Sequence, residues 1–527
     1  MRPFDTSGAF RPTTDESSVR RLAARGAGVT VLSSAVMLGV HLVATVVLAR
    51  LLTPGEFGLV AMVSTFSLLA MNFGLNGFTE AVIQREEISR DLVSTLFWIN
   101  LGAGLLLTFG FSLVGSLLAR FYGDPRVAHV TWAMSLTIII TSASVLHLAL
   151  LKRAMQFSVV SANDILARTL SVAVSICLGW VGWGYWALVA GAITLQLSSS
   201  VGAWLLCHWL PSPPRRVAGT GSMLRFALNT YGRFTVNYFA RNMDNALVGW
   251  RFNAQALGFY KRAYDLFALS ASQTVSPLTV VAVSALSRFN HDSAQYKKYL
   301  VNALGVVAFV GMGLSAALTL VGKDLIRLLL GPGWEPAGWI FLFFGPGIGV
   351  MLIYYTHGWI HLSIGRADRW FRWGLVELGV TGLLFLAGLP WGPVGVAAAW
   401  TASFWILTVP ALWYAGAPIK LGIAPVFAAI WRYPLASLAA GWASMVILRA
   451  FQSLVAGSST AEAASRVLAS SALFGALYLG AVILLHQGCG PLYQLGRLLR
   501  EMVPLNRFSR PSQALAPSAA QDEALTS

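Results

Sequence analysis

Asn229, Arg233, Asn237, Arg241 and Asp244 follow one another at steps of four, four, four and three residues within an otherwise apolar run. At 3.6 residues per turn these five share one helix face. Ionisable groups are costly in hydrocarbon and turn toward a bundle interior or an aqueous cavity. A guanidinium offers two parallel N–H donors and stays charged at any relevant pH, so the chemistry it suits is the holding of a phosphate. Arg233 and Arg241 are therefore candidate anion ligands, with Asn237 beside them. A structural alternative stands next to this one: Arg241 neutralises Asp244 three residues on, and Arg233 extends to the membrane surface.

Other runs carry weaker patterns. Asp164 and Arg168, four apart and continued by Ser171 and Ser175, form either a self-neutralising pair or a gate that opens when an anion claims Arg168. Asn72, Asn76, Glu80 and Gln84 keep strict four-residue steps; amides and a carboxylate suit sugar hydroxyls, which need donors and acceptors together. Glu80 has a plainer use in pairing with Arg85 or Arg90. Glu377 has no partner nearby in sequence and is the candidate for coupling to H+ or Na+, with Asp164 and Asp244 as further gating or coupling carboxylates. Paired with an Arg of another span, or with His357 or His361, Glu377 would instead be structural. His41 and the His357/His361 pair can take protons, but two ligands without a third make no metal site. No other cofactor is expected.

The elements that must position these residues follow from composition. The chain has 527 residues, 56% hydrophobic and 11% charged, with 37 Lys+Arg against 21 Asp+Glu for a net charge of +16. About 20 apolar residues cross a bilayer, and fourteen such runs can be read from Ala27–Leu52 to Ser465–His486. The expected fold is all-α and polytopic. The basic excess is explained by topology. With both tails cytoplasmic, 24 of the 37 basic residues fall on that side and 10 on the other, including Lys261 and Arg262, while Arg168, Arg233 and Arg241 lie inside spans. This matches the positive-inside rule and requires no nucleic acid. Three cysteines give no disulfide framework, and Met1–Arg25 lacks the apolar core of a cleaved leader.

Three internal matches suggest a duplication. Pro54-Gly-Glu-Phe-Gly58 is matched by the run from Gln255 through Gly258 to Tyr260, His147-Leu148 by His361-Leu362, and Trp183-Gly184 by Trp391-Gly392, at offsets of 200, 214 and 208. The expected layout is an N-tail (1–25), a six-helix bundle (26–210), a linker (211–225), a second six-helix bundle (226–416) of equal orientation, helices 13 and 14 (417–487) and a C-tail (488–527). The bundles would be related by a pseudo-two-fold axis along the membrane normal.

Ala49-Arg-Leu-Leu-Thr-Pro54-Gly-Glu56-Phe-Gly58-Leu, Phe73-Gly74-Leu-Asn76-Gly, Gln84-Arg85, Leu150-Leu-Lys-Arg153-Ala-Met-Gln-Phe157 and Gly182-Trp-Gly184-Tyr-Trp-Ala-Leu188-Val stand in order along the chain. In these segments the sequence resembles the Wzx-type polysaccharide flippases of the multidrug/oligosaccharidyl-lipid/polysaccharide superfamily, over roughly Ala24 to Gly416. The resemblance implies two bundles around a central cavity and alternating access. It also implies passage of a polyprenyl-pyrophosphate-linked oligosaccharide across the bacterial cytoplasmic membrane, with membrane lipid and a polysaccharide polymerase or assembly complex as partners. On that reading Arg233 and Arg241 hold the pyrophosphate. An enzyme is disfavoured: there is no Gly-rich Lys-Ser/Thr phosphate loop, Asp-x-Asp or metal-ligand spacing. A cation-coupled drug exporter of the same superfamily is the alternative, against which the span arginines count.

Overall fold

A computed structural model describes residues 3–5, 8–10, 16–85, 87–217, 219–450, 460–493 and 496. The first half runs through α1 (Glu16–Leu51), α2 (Pro54–Gln84), α3 (Arg90–Tyr122), α4 (Arg126–Ser142), α5 (Val145–Arg153), α6 (Phe157–Trp180) and α7 (Tyr185–Leu206). A linker, 207–219, leads into the second half: α8 (Thr220–Arg251), α9 (Ala254–Arg288), α10 (Ser293–Leu330), α11 (Glu335–Phe344), α12 (Ile348–Ser363), α13 (Ala367–Gly388) and α14 (Gly392–Gly416). Then come α15 (Ile423–Ile430), α16 (Arg432–Ala450) and α17 (Thr460–His486). Tight turns reverse the chain between passages. The face that holds residues 3–5, 8–10 and 207–217 is the tail face, and the opposite one the far face.

Eleven described stretches are long and apolar enough to cross a membrane, one of them covering both α13 and α14. The chain is a multi-pass membrane protein. α8 and α9 are absent from that set because they carry the polar face described above and, on α9, Lys261, Arg262 and Asp265. The sequence reading starts the eighth span at Leu266, whereas α9 begins at Ala254. Its first three turns read as a loop because their polar residues are sheltered by protein rather than lipid.

Two passages share a mid-course interruption. The passage α4/α5 is interrupted at Ala143–Ser144 and α11/α12 at the 3-10 turn Gly345–Gly347. A break frees carbonyls that must find new donors. In the first half Asn100 Nδ2 on α3 donates to Ser142 O (2.8 Å) and Trp204 Nε1 on α7 to Ala143 O (2.8 Å). In the second half Ser315 Oγ on α10 donates to Gly345 O (2.7 Å) and Thr401 Oγ1 on α14 to Phe343 O. The same two neighbouring passages repair the same defect in each half, with different side chains. α15, α16 and α17 pack on α10, tied by the Arg466–Asp324 ion pair (2.8 Å) and by Tyr478 Oη donating to Phe309 O (2.7 Å).

The far face is closed by the matched segments themselves. Thr53 caps α2, its N–H donating to Glu56 Oε2 (2.7 Å), and Asn253 Oδ1 caps α9 by accepting from Ala256 N (2.8 Å). The two helix starts cross reciprocally: a Cβ on Gly58 would overlap the Ala254 carbonyl, and one on Gly258 the Pro54 carbonyl. Trp334, 2% exposed, fills the junction. Its ring lies against Phe57 (5.6 Å) and Phe259 (5.9 Å), and its Nε1 donates to Ala49 O at the end of α1 (2.9 Å).

On the tail face Arg153 Nη1 donates to Val82 O (2.7 Å) and Ile83 O (3.2 Å), satisfying the last carbonyls of α2. The linker is held to α3 by Trp98 Nε1 to Ser212 O (2.9 Å) and Thr95 Oγ1 to Arg215 O (2.9 Å). The Leu150-Leu-Lys-Arg153 segment is thus a helix cap.

Candidate functional site

Five ionisable residues from five helices stand at one depth. His41 on α1, Arg168 on α6, Arg241 on α8, Asp265 on α9 and Glu377 on α13 lie ten to twelve residues from the far end of their helices, about 15–18 Å at 1.5 Å per residue. They sort into two groups.

The first group lies between the halves. On α9, Asp265 pairs with Lys261 at i+4 and with Arg262 Nη1 at i+3 (3.3 Å). The Arg262 guanidinium sits 4.0 Å from the centre of the Phe57 ring, and its Nε has no hydrogen-bond partner. His41, across a narrow cleft lined by α1, α9 and α10, is within electrostatic reach of Asp265, Arg262, Arg168 and Lys261. Arg168 Nε is also buried without a partner. Two arginines and a lysine, against Asp265 and with Asp164 within reach of Arg168, leave a positive surplus at mid-depth.

The second group is internal to the second half. Arg241 lies 4.9 Å over the Tyr355 ring on α12, and Tyr264 Oη donates to its carbonyl (3.4 Å). Glu377 on α13 is within electrostatic reach of Arg241 and of Tyr354, whose hydroxyl accepts from Trp373 Nε1 (2.9 Å); Arg241 Nε, like that of Arg262, is buried without a hydrogen-bond partner. Asp244 is fully buried; its Oδ2 accepts from Tyr260 Oη (2.6 Å) and Trp400 Nε1 (2.8 Å), while Oδ1 has no partner. Arg241 therefore does not neutralise Asp244; their side chains serve different neighbours. Glu377, without a partner in sequence, has Arg241 from another helix.

The remaining expected residues are spread more widely. Glu80 is exposed near the tail-side end of α2, and Asn237 is exposed near the middle of α8. The side chains of Arg233 and Asn76 lie outside the described residues. Asp164 is exposed and within electrostatic reach of Lys152 and Arg168. His357 and His361 are buried, 5.9 Å apart, and the described residues hold no cluster of three metal-ligating side chains. Sequence reasoning missed Lys261 and Arg262, placing them in a far-side loop, whereas they sit two turns inside α9. The i+4 step from Lys261 to Asp265, directly after the Gly258 segment that matches the helical Gly58, was the signal for a helix there.

Residues 47–338, more than half the chain, match the sequence model of a family described as polysaccharide biosynthesis protein. The chain belongs to that family. Over 508 residues it is 21% identical to the succinoglycan biosynthesis transport protein ExoT of Rhizobium meliloti (strain 1021), covering 96% of this chain and 99% of the relative. Its fold is similar to the lipid II flippase MurJ in an inward closed conformation, with a TM-score of 0.71, 14% identity, and coverage of 87% of this chain and 99% of MurJ. It also resembles an inward-facing MATE-family multidrug transporter of the MOP superfamily, with a TM-score of 0.61, 11% identity, and coverage of 72% and 94%. At these identities the two structures report on fold alone.

Proposed function

We propose that this family member translocates a polyprenyl-pyrophosphate-linked oligosaccharide across the bacterial inner membrane by alternating access. The observation that carries the reading is the positive surplus at mid-depth, below a closed far face, in a family named for polysaccharide biosynthesis. A pyrophosphate needs fixed cations away from bulk water, where Coulomb attraction is less screened. Arg262, Lys261 and Arg168 supply them beside the α1/α9 cleft, whose apolar wall of Leu42, Leu266 and Leu329 suits a lipid tail leaving sideways.

We read the helical passages as fourteen crossings with both tails cytoplasmic, so that the tail face is cytoplasmic. Moving Lys261 and Arg262 from a far-side loop into a helix strengthens that bias, since the far side then keeps eight basic residues against 24. The exposed Glu80, near the tail-side end of α2, then lies on the side from which cargo enters. The chain acts as a transporter, not an enzyme, handing its cargo to a polysaccharide polymerase or assembly complex. For H+ coupling, Asp244 replaces Glu377 as the favoured carboxylate, because it is fully buried with Oδ2 held by two neutral donors and Oδ1 unpartnered, with Lys261 only within electrostatic reach.

Drug export by a cation-coupled cycle shares the fold, but the net positive charge between the halves repels cationic drugs. The discriminating experiment is a deletion strain. Lipid-linked repeat units should accumulate on the cytoplasmic leaflet and surface polysaccharide should disappear; persistence of surface polysaccharide without accumulation would end this reading.

A further inference from the structure

On the far face, outside the glycine crossing, lies an open cleft of about 410 Å³, within the size range of small-ligand sites. Thr53, Asp124 and Arg126 line it from the first half, and Asn253 and Gln255 from the second. The anion reading of the mid-depth group does not extend here. Arg126 is matched by Asp124, through Nη2 to Oδ2 (2.7 Å) and Nε to both carboxylate oxygens (3.1 and 3.2 Å). These bonds hold the Asp124 carboxyl below its usual range, so the pair stays ionised and neutral overall. The guanidinium keeps unused N–H donors, and the carboxylate retains lone pairs beside them. Such a paired donor and acceptor matches neighbouring hydroxyls on a sugar ring. The amides of Asn253 and Gln255 add both functions, and no large apolar side chain lines the cleft.

Two of the segments that carry the family resemblance, around Glu56 and Gly184, meet near this place. Glu56 and Tyr185 are within electrostatic reach of Arg126, and a Cβ on Gly184 would overlap the Glu56 carboxylate. The cleft exists only while the starts of α2 and α9 are crossed, because each supplies one wall.

We propose that this cleft is an exit site that takes the saccharide part of the cargo once it has passed outward and the far face has closed behind it. It rests on the translocation reading and adds a consequence: a saccharide seated there bridges the two halves and holds the far face shut. Free oligosaccharide outside the cell therefore slows the cycle.

The test uses full-length chain with Cys177, Cys207 and Cys489 replaced by Ala and Gln255→Cys introduced, in right-side-out membrane vesicles. A membrane-impermeant maleimide labels position 255, with and without oligosaccharide released by mild acid from the producing cell's own surface polysaccharide. For a site of roughly millimolar affinity, labelling slows about threefold at twice that concentration. Glu335→Cys, on the same face but outside the cleft, labels at an unchanged rate. Arg126→Ala abolishes the protection at position 255. Equal labelling with and without the sugar, or equal slowing at 255 and 335, overturns the exit site. The deletion strain reports separately: accumulation of lipid-linked units without protection removes the exit site alone, whereas absence of accumulation removes the translocation reading beneath it.

Discussion

Arg241 and Arg262 stand at nearly the same depth, one on each of two consecutive helices, yet their surroundings differ in kind. Arg241 is enclosed by Tyr355, Tyr264 and Glu377 within one half. Arg262 lies between the halves, beside a cleft that opens toward α1, sharing Asp265 with Lys261. The first has the Glu377 carboxylate within electrostatic reach inside its own bundle. The second belongs to a group with more cations than anions. On the function proposed above, an arginine enclosed by one bundle serves the fold, and one in surplus between the halves is available to cargo.

The largest effect that would test this contrast is on folding. Arg241→Leu removes the cation in electrostatic reach of Glu377 and the stacking on Tyr355, and a buried carboxylate left without a compensating charge is costly, so the purified variant should melt early or fail to accumulate. Adding Glu377→Gln should restore the melting temperature and transport together. A double variant that folds but does not transport would place Arg241 on the cargo and erase the distinction.

Next comes Arg262→Ala. Truncating one member of a desolvated charge contact costs about 2–5 kcal/mol, so transport in a complemented deletion strain should fall about a hundredfold with the melting temperature little changed. Arg262→Lys should recover part of it, because charge is kept and the planar fork is lost. If Arg262→Ala destabilises the chain as Arg241→Leu does, the two arginines are the same kind of residue.

A smaller change is expected from Asp265→Asn. It frees Lys261 and Arg262 and raises the local positive charge, so cargo affinity should rise several-fold and release should slow, an effect that added salt weakens. Smallest in stability is Asp244→Asn. Its amide oxygen still accepts from Tyr260 and Trp400, so the melting temperature should shift by less than about 1 kcal/mol equivalent. Transport should nevertheless lose its response to an imposed proton gradient; an unchanged response would remove Asp244 as the coupling carboxylate.

The apolar helical runs and the glycine segment recurring 200 residues later were legible in the sequence because each is local; that Gly58 and Gly258 cross each other was not, since a repeat spacing says nothing of contact. The α8 face was legible as polar, but its division of labour was not. Asp244 binds Tyr260 and Trp400, 16 and 156 residues away, and no spacing rule reaches across three helices. Arg262 was hidden for a different reason. Hydropathy measures fitness for lipid, and the start of α9 is buried against protein, so a helix inside the membrane read as a loop outside it.

The polarity of α8 and α9 also bears on how the protein is made. Each charged residue near the middle of a lone helix costs about 2.5–3.5 kcal/mol on entry into the bilayer, and α9 carries Lys261, Arg262 and Asp265 while α8 carries Arg241 and Asp244. Neither is suited to leave the insertion machinery by itself. They enter as a hairpin, joined by the two-residue turn Phe252–Asn253, onto a first half already in place. The order of synthesis then matters: α2, which both helices pack against, must be inserted before them, and the first half serves as the scaffold on which the second becomes a membrane protein at all.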